Sequence, residues 1–113
     1  MRLRIQLPRD IEEAPSLRAH VERRLGFALS RLEDRLSGVR VRCTDENGPK
    51  GGLDKRCVVE LRGPDIDTLV VEARATVWNA AIDEAVERAA RALVRVLDRV
   101  GRRAAPSPYA GAR

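Results

Sequence analysis

The sequence predicts a two-layer α/β sandwich with the order strand, helix, strand, strand, strand, helix. Three observations carry this. Four stretches alternate apolar and polar residues with period two. Two longer stretches repeat apolar residues at helical spacing. The first two strands are separated by one of those helical stretches, which makes them parallel neighbours joined by a right-handed crossover. The later strands follow one another closely and read as hairpins. Each strand has a single apolar face, so both helices must cover the same side of one mixed four-stranded sheet and leave the other side open.

The elements follow in order. Leu3, Ile5 and Leu7 alternate with Arg2, Arg4 and Gln6 in a half-buried strand that Pro8 ends. Arg9 to Ala14 reads as a loop, and Pro15 suits the first turn of a helix, where its missing N–H is no loss. Leu17, Val21, Leu25, Ala28, Leu29, Leu32 and Leu36 recur at helical spacing, predicting a first helix from Pro15 to Leu36 that Ser37-Gly38 stops. Val39, Val41 and Cys43 alternate with Arg40 and Arg42 in a second strand. Thr44 to Arg56, with three glycines and a proline, reads as a long loop. Cys57, Val59 and Leu61 mark a third strand, Gly63-Pro64-Asp65 a turn, and Leu69, Val71, Ala73 and Ala75 a fourth strand. Thr76 is placed to cap a long second helix reaching Arg103. Residues 1–103 thus form the domain, and 104–113, with Pro106 and Pro108, are expected to be a disordered tail.

A chain of 113 residues supports one core. With aromatics at 3%, that core must be built from Leu, Val, Ile and Ala. No apolar run is long enough for a transmembrane helix. The start, Met1-Arg2-Leu3-Arg4, leads into strand alternation rather than a signal peptide's apolar stretch, so a cytoplasmic protein is expected. In that reducing compartment Cys43 and Cys57, both inward by alternation, are expected to be free buried thiols. A net charge of +5 favours an anionic partner, nucleic acid foremost.

The charge is concentrated on the second helix. Ile82, Ala85, Val86, Ala89, Leu93, Val96, Leu97 and Val100 fall on one side. Arg88, Arg91, Arg95, Arg99 and Arg102 fall on the other, three or four residues apart. Asp83, Glu84 and Glu87 precede them. Acid first and base last suits the helix dipole, but that effect reaches only about one turn. Like charges four apart cost a few tenths of a kcal/mol each, a cost that phosphate binding offsets. The row is therefore a candidate phosphate-binding surface.

On the first helix His20, Arg24, Phe27 and Arg31 share a flank away from the apolar stripe. An aromatic among arginines suits stacking on an unpaired base. The alternative has Phe27 capping the core's edge and His20 solvated. The open sheet face carries Arg2, Arg4, Arg40, Arg42, Arg62 and Arg74 with Glu60 and Glu72, a solvated face or a second contact. The loop's Lys50, Lys55 and Arg56 are candidates for RNA contact. Its Gly48-Pro49-Lys50-Gly51-Gly52 lacks the ending of a nucleotide P-loop, and Asp45, Asn47 and Asp54 lack calcium-loop spacing. One His and two Cys fall short of a structural zinc set. No nucleophile–base pair is visible, so no enzyme, metal, cofactor or small-molecule substrate is expected.

The element order, Ala80-Ala81-Ile82-Asp83 opening the second helix and the arginines after it resemble the ribosome hibernation-promoting factor family, which includes ribosome-associated inhibitor A. Leu17-Arg18 and Val21 are similar to its Leu-Arg-x-x-Val, and Arg88, Arg91, Arg95 and Arg99 fall on its basic positions. Trp78 stands one place before the family's usual Tyr, and Val77 replaces its leading Asp. The resemblance spans nearly the whole chain. It implies a core like a double-stranded RNA-binding domain and binding to small-subunit rRNA. The protein would obstruct the messenger and transfer RNA channel and hold ribosomes idle under stress or in stationary phase. The sequence ends without the dimerisation domain of the family's long forms, and a monomer is the simpler expectation. Two other readings stay open on the same fold: a protein-interaction or regulatory module, and a general double-stranded RNA binder.

Overall fold

A computed structural model describes residues 2–9, 11–46 and 54–104, with side chains through Gly101. Strand β1 spans Arg2–Gln6 and helix α1 Ala14–Leu29, continued by a 3-10 helix over Ser30–Arg35. Strands β2 (Gly38–Asp45), β3 (Lys55–Gly63) and β4 (Ile66–Ala75) precede helix α2 (Trp78–Ala104). The sheet order is β1-β2-β3-β4, with β1 parallel to β2 and the later pairs antiparallel. This is the expected two-layer α/β sandwich.

The register explains why one face is buried. Leu3, Val39, Leu61 and Leu69 align across all four strands, and Ile5, Val41, Val59 and Val71 form the next row. Both rows pack into the core under the helices. From α1 come Leu17, Val21, Leu25 and Leu29; from α2 come Ala81, Ile82, Ala85, Val86, Ala89, Leu93 and Leu97. The alanines let α2 lie close to the sheet, where it packs on β3 and β4 while α1 packs beside it. Each fully buried large side chain contributes about 1.5–3 kcal/mol by leaving water.

Several boundaries differ from the sequence reading. The first helix ends as α-helix at Leu29, not Leu36. Ser30 to Arg35 includes Ser and Asp, residues that bond locally to backbone and weaken a helix interior, and it tightens into 3-10 geometry. Leu36 is already extended and drops into the core. The long loop is shorter than expected, because Thr44 pairs with Arg56 and Asp45 with Lys55. An ion pair of 2.6 Å between Lys55 and Asp45 helps hold that last rung. The fourth strand starts earlier, at Ile66, and the second helix starts later, at Trp78. Val77, not Thr76, stands at its N-cap, with its carbonyl accepting from the Ala81 N–H at 3.2 Å.

Pro64 and Asp65 form the turn between β3 and β4, and Arg35 reaches Asp65 at 3.0 Å. Gly63 is required there: an added Cβ would lie 2.2 Å from the Arg35 carbonyl oxygen. Gly63→Ala is expected to cost about 2 kcal/mol or more, because the clash is with backbone that cannot swing aside; urea unfolding measures it.

Cys43 and Cys57 are register partners in the central strands, buried and free. The hydrogen bond with Cys43, and then burial, push the Cys57 thiol well above the ordinary range. Neither sulfur is open to reagent. A disulfide reagent is expected to titrate no thiol in the native protein and two after denaturation.

Candidate nucleic-acid interface

Helix α2 turns Arg91, Arg95 and Arg99 into solvent. None of the three has an ion-pair or hydrogen-bond partner among the described residues. Their Cα positions span eight residues, about 12 Å of helix. Val94, 46% exposed, lies among them. Arg88 is held differently. Its guanidinium pairs with Glu84 at 2.5 Å and donates to the Glu72 carbonyl of β4 at 2.8 Å. Arg88 thus ties the front of the row to the sheet edge and spends part of its charge inside the protein. Arg102 continues α2, its side chain outside those described.

The flank on α1 splits in two. Both helices run back antiparallel to strands of the same sense, so they lie side by side in the same direction. His20, only 16% exposed, bonds through Nε2 to Asp83 of α2 at 2.7 Å. Arg24 Nε stands 3.2 Å from the same carboxylate oxygen, within ion-pair reach but not aligned for a hydrogen bond. Neither the solvated His20 nor an Arg24 free for a ligand survives. These residues seam the helices together. Arg23 contacts His20 Nδ1 at 3.4 Å on the outer side. Phe27, by contrast, is 82% exposed and caps no part of the core. Arg31 is also exposed, at i+4 from Phe27. Phe27 and Arg31 remain open to a partner.

Lys55 is not a loop residue. It begins β3, pairs with Asp45 at 2.6 Å and with Asp54 at 3.5 Å, and sits 5.3 Å from the centroid of the Trp78 ring. The Asp45 hydrogen bond holds its ammonium above the ordinary lysine range despite some desolvation. Asp54, 2% exposed, is a buried carboxylate whose partner is this lysine. Trp78 packs against the core beneath it. Lys50 lies outside the described residues.

Asp83 is the residue that sequence reasoning undervalued. It reads there as a dipole-complementing acid, and its partners lie 63 and 59 residues away, beyond any local signal. The candidate interface is therefore a helix pair joined at the His20–Asp83–Arg24 seam. It presents Arg91, Arg95 and Arg99, without partners among the described residues, on one helix and an exposed phenylalanine with an arginine on the other.

Comparison with known proteins decides the family. Residues 8–101 match the model described as sigma 54 modulation protein / S30EA ribosomal protein, which covers α1, the sheet from β2 onward and nearly all of α2. The chain belongs to this family. The fold of this S30EA family member is shared by solved structures. A ribosomal subunit interface protein from Coxiella burnetii superposes with a TM-score of 0.67 at 16% identity, covering 84% of this chain and 96% of that one. The N-terminal domain of Protein Y from Thermus thermophilus gives 0.62 at 23% identity, covering 84% and 98%. No curated protein sequence matches the chain. Among the described residues of this family member no helix is long and apolar enough to cross a membrane.

Proposed function

We propose that this protein is a non-catalytic ribosome-bound factor that grips small-subunit rRNA with α2. Bound there, it obstructs the channel used by messenger and transfer RNA and keeps ribosomes idle under stress or in stationary phase. The observation that carries this reading is the row Arg91, Arg95 and Arg99, exposed and without partners among the described residues, on a helix packed against the sheet. Each guanidinium presents a planar fork of donors that matches phosphate oxygens. Association releases counterions from the RNA, so affinity falls steeply with salt. Membership of a family described as ribosomal supports a ribosomal partner. Phe27 and Arg31 add an exposed stacking surface on the neighbouring helix α1.

Sedimentation of the protein with purified small subunits tests this. Cosedimentation at low salt, lost as salt rises, is the expected result; a protein that stays at the top of the gradient at low salt overturns it. Phe27→Ala is expected to weaken binding by about 1–3 kcal/mol, the worth of one base stack, without changing the salt slope. Titration of labelled protein against small subunits at two or more salt concentrations measures both.

A further inference from the structure

The uncovered face of the sheet is divided by charge. Toward β3, β4 and the loop end, its arginines are matched internally. Arg56 pairs with Glu72 at 2.5 Å, Arg74 with Glu46 at 3.1 Å, and Arg42 donates to Gln6 at 3.1 Å. At the other end of β1 and β2 a single acid, Glu60, stands among four arginines. Arg2 and Arg4 are exposed and Arg40 half-buried, and none of the three has an ion-pair partner among the described residues. Arg62 alone reaches a carboxylate, Glu60, at 2.8 Å.

The register concentrates this charge. Arg4 aligns with Arg40 on the parallel neighbour, about 4.8 Å away between strand axes. Arg2, two residues along β1, aligns with Gly38, which itself aligns with Arg62. No side chain therefore stands between Arg2 and Arg62. The result is a cleft of about 380 Å³ whose lining includes Arg2, Arg4, Arg40 and Arg62 with one acid, Glu60, which stands opposite Arg40 on β3. Its backbone is tied: the Arg2 N–H donates to the Ser37 carbonyl at 3.1 Å, and the Ser37 N–H donates to the Arg62 carbonyl at 2.7 Å. Like charges directly opposite on adjacent strands are destabilising. Four arginines against the single acid Glu60 leave this end of the face with a net positive charge that suits an anion.

We propose that this end of the sheet is a second polyanion-binding surface, which takes the phosphate backbone of a second RNA segment while α2 holds the first. The choice of RNA rests on the function proposed above; the existence of a second surface rests on the cleft. Sheet and helices are opposite layers, so one short segment cannot lie on both. The protein then acts as a bridge that pins two RNA segments across its own thickness.

A bridging assay with the full chain tests this. A biotinylated single-stranded RNA is fixed to beads, and a fluorescent RNA of the same length is added with the protein. The wild type is expected to retain the fluorescent RNA. The triple variant R2Q/R4Q/R40Q is expected to bind one RNA with near wild-type affinity but to lose retention of the second by about tenfold or more, the loss that even one charged contact carries. Its salt slope for the second RNA should fall by about 2. R2K/R4K/R40K, which keeps the charge, should still bridge, and circular dichroism shows whether each variant is folded. Absence of bridging by the wild type overturns the proposal. So does a folded R2Q/R4Q/R40Q variant that bridges as the wild type does, since bridging then comes from elsewhere, such as paired copies. Displacement of the second RNA by polyglutamate as readily as by RNA also overturns it, because the cleft would then read charge and not phosphate. R91E/R95E separates the two readings: undiminished binding of the first RNA defeats the α2 reading alone.

Discussion

R91E/R95E is expected to lose about 100-fold or more in affinity for the small subunit. Hydrogen bonds to charged groups are worth about 1.5–3 kcal/mol each, and two are removed. The slope of log affinity against log salt should also shrink by about 1.4–1.8, because two phosphate contacts no longer release counterions. Stability should barely change, since both side chains are exposed and neither has an ion-pair or hydrogen-bond partner among the described residues. Titration of labelled protein against purified small subunits at several salt concentrations reads both numbers. The same change at Arg88 would behave differently. Its bonds to Glu84 and to the Glu72 carbonyl fasten α2 to β4, so Arg88→Glu should lower stability as well as binding.

Leu93→Ala is expected to have the largest effect on stability. Leu93 is fully buried in α2, where the helix crosses the sheet. Its neighbours Ala85 and Ala89 on the same stripe are too small to collapse into the space. The loss should be about 3 kcal/mol or more, lowering Tm by roughly 10–20 °C. Calorimetry measures it. The contrast with the surface variant is informative. Leu93→Ala should weaken ribosome binding only through the fraction unfolded, whereas R91E/R95E should weaken it in a fully folded protein.

The fold was legible because its signals are local and redundant. Alternation through Leu3, Ile5, Val39, Val41, Val59, Leu61 and Val71 sets the buried face of each strand, and the parity matches across the register. The crossover helix between β1 and β2 sets their parallel sense. What was not legible depends on the balance at element ends. The stretch from Ser30 carries the same leucine period as α1, yet it tightens because Leu36 is pulled into the sheet's core. Thr44 and Lys55 read as loop because glycines and charges surround them, but hydrogen bonding along the hairpin and the Lys55–Asp45 pair extend the strands.

The site divides in the same way. The arginine row of α2 follows from spacing alone. The fate of each arginine does not, because it is settled by partners distant in sequence. Arg88 meets β4, and Arg24 meets Asp83, so only Arg91, Arg95 and Arg99 remain unpaired in the described part of the row. His20 shows the limit most clearly. Its helical position says only that it leaves the core stripe, and the packing of α2 then turns it from a surface residue into a helix-to-helix fastener.

Val94 offers the most direct test, since it is exposed between Arg91 and Arg95. A photoreactive benzoylphenylalanine placed there should, on irradiation of the complex with small subunits, join the protein covalently to rRNA lining the messenger and transfer RNA channel. The adduct should disappear when R91E/R95E is added to the same chain. Adducts confined to ribosomal proteins, or to rRNA remote from that channel, would contradict the account.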